Sequence, residues 1–94
     1  MKDRNLLKAR NLTIENLGLL KTILDQCTDE GMFDDDAHYY NELIDLKAEA
    51  HAVKSWEELI EVIALAKTLE IDIDVWLSRK GRTSLSLEWP VQPA

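Results

Sequence analysis

The sequence predicts a mainly α domain with some β character (α+β): three antiparallel helices with a buried third helix, closed by a C-terminal β-hairpin. Three observations carry that expectation. Apolar residues recur at spacings of three and four from residue 13 to residue 69, the repeat of an amphipathic helix. Breakers are scarce, with three Gly and two Pro in 94 residues, so long regular elements are expected. Beyond residue 70 the period changes to two, the repeat of a strand.

In chain order, residues 1–12 mix basic and apolar positions without a sustained stripe and read as an N-terminal arm, with a frayed first turn as the alternative. A single small domain follows over 13–94. Thr13 is placed to cap the first helix, its hydroxyl accepting from an otherwise unpaired backbone N–H. Ile14, Leu17, Leu20, Ile23, Leu24 and Cys27 form the apolar face, and Gly31 supplies the stop, giving a helix over about 13–30. Asp34, Asp35 and Asp36 then precede the second helix, where carboxylates complement the positive end of its dipole. That helix runs over 36–53 with Tyr39, Leu43, Leu46, Ala50 and Val53 as its seam. Ser55 and Glu58 form a capping box at the start of the third helix, 56–69. Its apolar residues, Leu59 to Leu69, cover most of the circumference, so it is expected to be buried on nearly all sides.

The C-terminal segment has two readings. Ile71, Ile73, Val75 and Leu77 alternate with polar neighbours and Trp76, and Leu85, Leu87 and Trp89 form a second alternation after Gly81. The favoured reading is a β-hairpin at about 71–89. The alternative is a short fourth helix, capped by Asp72 with Ile73, Trp76 and Leu77 inward, followed by one extended strand. In the hairpin, Trp76 falls on the face opposite Ile73 and Val75, where it would be available to a partner.

Net charge is −7 and unevenly distributed. Residues 25–74 hold fifteen Asp and Glu against Lys47, Lys54 and Lys67, a local balance of −12. Residues 1–24 come to +3 and residues 75–94 to +2. So acidic a middle repels phosphate backbones and anionic lipid, which argues against nucleic acid and membrane as partners. A basic protein surface suits it. No apolar run is long enough to span a bilayer and the first residues lack a signal-type core, so the expected compartment is cytoplasmic.

No catalytic centre, cofactor site or metal site is expected. His38, Glu42, Asp45 and Glu49 share one helix face at spacings of four, three and four, but no second helix offers matching ligands. The acids around Asp34–Asp36 lack the glycine and closing Glu of a calcium loop. Cys27 is the single cysteine and lies on an apolar stripe, where it acts as a small hydrophobe. There is no phosphate-binding glycine loop.

Residues 65–77, from Leu65 through Thr68 and Ile73 to Leu77, resemble the last two helices of Cro-like helix-turn-helix repressors over a minor part of the chain. That resemblance implies a DNA-binding regulator, although no tight helix-turn-helix reads upstream. The leading expectation is a non-enzymatic, acidic protein-interaction module, such as an adaptor, inhibitor or immunity-type partner. Its expected surface comprises Trp76, Asp34, Asp35, Asp36, Glu42, Asp45 and Glu49. The partner would be a basic protein surface, or a second copy bound through the C-terminal segment. The alternatives are the regulator and a non-catalytic subunit of an enzyme complex.

Overall fold

The computed structural model describes residues 3–29, 36–79 and 87–92, with the side chains of 27–29 and 36–38 outside that description. Three helices account for nearly all of it: α1 (Arg4–Asp29), α2 (Asp36–Ala52) and α3 (Trp56–Arg79). No strand occurs among the described residues. Twenty-six residues of helix at 1.5 Å each make α1 about 39 Å long. The molecule measures 44 × 22 × 16 Å, so α1 runs most of its length.

Helix α1 begins earlier than the sequence suggests, and residues 4–12 are its first turns rather than an arm. Asp3 is the cap: its Oδ1 accepts from the N–H of Asn5 (2.9 Å) and of Leu6 (3.2 Å). The buried stripe is Leu6, Ala9, Thr13, Leu17, Leu20 and Leu24, with Asn16 beside it. Thr13 therefore sits inside the helix, not at its start. Its hydroxyl donates to the Ala9 carbonyl at 2.8 Å, which satisfies a polar group within its own helix. Arg4, Lys8 and Arg10 interleave with Leu6, Leu7 and Ala9, which is why the first turns resemble an arm in the sequence.

Helix α2 follows the expected seam. Leu43, Leu46, Ala50 and Val53 are buried and Tyr39 packs partly against the core. A short link then turns the chain into α3. Ser55 Oγ accepts from the Glu58 N–H at 3.2 Å, while the Glu58 carboxylate accepts from the Lys54 N–H at 2.9 Å. The box forms, reaching one residue further back than the usual pattern.

The C-terminal hairpin at 71–89 is not formed. Helix α3 continues without a break to Arg79, so residues 71–79 belong to it. Its buried positions are Leu59, Val62, Ile63, Ala66, Leu69, Ile73, Trp76 and Leu77, a single three-and-four repeat. Ile73 is fully buried while Ile71 is 63% exposed, which separates two residues that a strand would place on one face. Nor is there a break at Asp72 to start a fourth helix, although that reading named the inward side chains Ile73, Trp76 and Leu77 correctly. The hairpin's expected turn and residues 80–86 lie outside the described residues. Helix α3 is also not buried all round, since Ile60, Leu65, Ile71 and Val75 stay exposed.

The helices alternate in direction, and side-chain pairs mark their register. Lys21 Nζ lies 5.4 Å from the Tyr40 ring centre, joining α1 to α2. Tyr39 meets Trp76 edge-on with ring centres 6.5 Å apart, joining the start of α2 to the end of α3. At the other end of the bundle, Trp56 Nε1–H donates to Asp3 Oδ2 at 3.0 Å, pinning the start of α3 to the cap of α1. Helices α1 and α3 are thus parallel and touch each other least. Into their seam comes the C-terminal segment, with Leu87 and Trp89 packed against the core.

Two outcomes follow from this packing. Trp76→Ala should cost about 3–5 kcal/mol in chemical denaturation, whereas Ile71→Asp should stay within about 0.5 kcal/mol of the parent. The reverse ranking would restore the strand reading. The second concerns pH. The Trp56 indole N–H, followed by the Leu6 and Asn5 amides, holds the Asp3 carboxyl below its ordinary value. A carboxyl lowered on folding stabilises fully above its unfolded pKa of about 3.9, and that stabilisation is lost as pH falls through the folded value. The Trp56 indole N–H resonance should therefore move on acidification below about pH 4, and Asp3→Asn should abolish that step.

Candidate docking cleft between the second and third helices

The expected surface residues divide into three groups in the structure. Asp34 and Asp35 lie outside the described residues, and Asp36 opens α2 with its side chain outside them. Trp76 is 7% exposed and belongs to the core, so it is not a contact surface. A strand would have turned it outward; the helix turns it toward Tyr39. Glu42, Asp45 and Glu49 are exposed along one face of α2, as their spacing requires.

Two of those three acids meet α3 across a cleft of about 320 Å3 lined by Glu42, Asp45, Leu46, Leu65, Thr68, Leu69 and Asp72. Glu49 continues the same helix face one turn beyond Asp45 but does not line it. The periodicity of both helices explains the cleft. Leu46 and Leu69 are buried seam residues and form its floor. Leu65, Thr68 and Asp72, at spacings of three and four, form the wall on α3. Leu65 is 56% exposed, which leaves a large apolar side chain facing water beside three carboxylates.

No basic side chain is among the described residues that line this cleft. A second depression, along α1 and reaching Lys47 of α2, differs, mixing Glu15 and Asp25 with Lys21 and Lys47. The α2–α3 cleft therefore combines one sign of charge with an apolar floor. Chemically it can receive a group that is apolar along its stem and cationic at its tip. Among the described residues, no three His, Cys, Asp or Glu side chains are grouped so as to hold a metal ion. His51 is exposed at the C-terminal end of α2, away from the cleft-lining set. The side chains of Cys27 and His38 lie outside the described residues.

Leu65 and Asp72 are the site residues that the sequence did not single out. In the sequence, Leu65 reads as part of a helix buried all round, and Asp72 as part of a strand or as a cap. The signal lay in their neighbours. Leu65, Thr68 and Asp72 share a face with Glu61, and a face that carries Glu, Thr and Asp at helical spacing is not a core face.

Among the described residues no helix is long and apolar enough to cross a membrane. Compared with protein-family models, with curated proteins and with solved structures, the chain shows no match.

Proposed function

We propose that the chain is a non-enzymatic protein-interaction module whose α2–α3 cleft docks a basic, amphipathic segment of a partner protein. One observation carries this reading: the exposed Leu65 beside the buried Leu46 and Leu69, rimmed by Glu42, Asp45 and Asp72. A Lys or Arg side chain fits both halves of that chemistry. Its methylene stem lies along the leucines and its charged head reaches the carboxylates. Apolar contact would supply most of the affinity. The acidic rim would steer approach and reject acidic competitors. An amphipathic helix laid between α2 and α3 presents such side chains at three and four residue spacing.

The test uses a synthetic Lys/Leu amphipathic helical peptide as probe, with a Glu/Leu peptide and duplex DNA as comparators. The Lys/Leu peptide should bind in a salt-dependent manner, and the Glu/Leu peptide and the DNA should not. The pair Asp45→Lys with Asp72→Lys should weaken binding at least tenfold, about 1.4 kcal/mol, mainly through a slower association rate. Leu65→Ser should weaken it similarly while leaving the thermal midpoint near the parent value, because Leu65 is already half in water. Unchanged binding in these variants would overturn the assignment. Preferential binding of the DNA would instead support a nucleic-acid regulator.

A further inference from the structure

The C-terminal residues 87–92 contact the helices as an incoming peptide would. The Leu87 N–H donates to Glu70 Oε2 at 3.1 Å, and the Trp89 indole N–H donates to Glu70 Oε1 at 3.3 Å. From the other wall of the seam, Asn16 Nδ2 donates to the Glu88 carbonyl at 2.7 Å. Two of the three bonds hold main-chain groups, which any peptide carries. The third, with the half-buried Leu87 and Trp89 side chains, reads identity. Asn16 is 5% exposed in the middle of α1, where an amide without a partner would be costly. Its placement makes sense as one half of a peptide clamp whose other half is Glu70 on α3. Further along, Pro90 and Val91 border a cleft of about 280 Å3 with Ala9, Leu12 and Trp56.

We propose that the α1–α3 seam is a binding site for a non-helical segment of the pattern apolar–any–Trp–Pro, filled in cis by residues 87–90, and that its occupant in trans is the same segment of a second copy. An identical chain offers Asn16 and Glu70 the same partners with the same geometry. Exchange therefore preserves each hydrogen bond and each apolar contact, and only connectivity and protein concentration distinguish the closed chain from the exchanged pair. Release of the segment breaks no helical backbone bond, because residues 87–92 lie outside all three helices. The site is on a different seam from the acidic cleft and does not depend on its function.

An acetylated peptide of residues 87–92, carrying a fluorophore at its C-terminus, tests the site against the full chain. It should bind the Trp89→Ala chain at least tenfold more tightly than the parent, whose own segment competes. Adding Glu70→Ala to Trp89→Ala should remove that binding. Far-ultraviolet circular dichroism checks that the variants keep their helices. A reading free of substitution comes from the parent chain: excess peptide should shift the Trp89 indole N–H resonance as the segment is displaced. Sedimentation equilibrium of the parent should show a concentration-dependent dimer that excess peptide dissociates, because free peptide competes with the exchanged segment for the same seam. No tighter binding in Trp89→Ala, together with an unmoved Trp89 resonance, would make the segment a fixed part of the fold. Peptide binding by a parent chain that stays monomeric at every concentration would overturn the second copy as occupant.

Discussion

The buried stripe of α3, repeating at three and four residues from Leu59 to Leu77, is the constraint on which the remaining structure depends. Burying a leucine or isoleucine side chain is worth roughly 1.5–3 kcal/mol, so the six aliphatic members beyond Ala66 and Trp76 dominate the packing. The stripe spans the length of α2, through Leu43, Leu46, Ala50 and Val53, and extends to meet the central leucines of α1. Because it is continuous, α3 is continuous, and this orients Trp76 toward Tyr39. The same continuity turns Leu65 and Asp72 outward beside α2. The acidic cleft is a consequence of the stripe rather than a separate feature.

Polar residues within this frame are placed where a partner exists. Thr13 uses the carbonyl of its own helix, Asn16 uses the tail, and Asp3 joins a cap to an indole on α3. These contacts differ in reach. The first is local and would survive in an isolated helix. The other two join elements far apart in the chain and exist only after the helices have packed. Because α1 and α3 meet sparsely, the ends of their seam are held by these longer-range bonds: Asp3 to Trp56 at one end and the Glu70–Asn16 clamp further along. Apolar packing sets the arrangement of helices, and side-chain hydrogen bonds close the remaining gap.

Charge is layered on this arrangement without determining it. The acids of α2 and α3 with described side chains occupy positions left over by the stripes, and Glu42, Asp45 and Asp72 among them surround an apolar floor. Three acids of the middle segment, Glu42, Asp45 and Asp72, gather on this one cleft, and others are spread over the remaining faces of the bundle. The basic residues Arg4 and Lys8 are exposed on the first turns of α1, and Lys8 lines the cleft that Pro90 and Val91 border.

Elements that rest on local physics are readable in the order of residues alone. Helical periodicity located the seam of α2, the capping pattern at Ser55 and Glu58 located the start of α3, and Leu59, Ile63 and Ala66 were legible as core. The shared face of Glu42, Asp45 and Glu49 was also readable, since helical spacing alone places them together. Tertiary structure decided what local pattern left ambiguous. Alternation from Ile71 to Leu77 fits a strand when counted in twos. Yet Ile73, Trp76 and Leu77 also extend the repeat begun at Leu59, and packing against the other helices selects the reading that buries them. Residues 4–12 gained helix because Leu6 and Ala9 find core neighbours and Asp3 finds Trp56. Leu65 and Asp72 became site residues because α2 lies where it does. Those outcomes depend on contacts between segments distant in the chain, and no period within one segment encodes which neighbour it will meet.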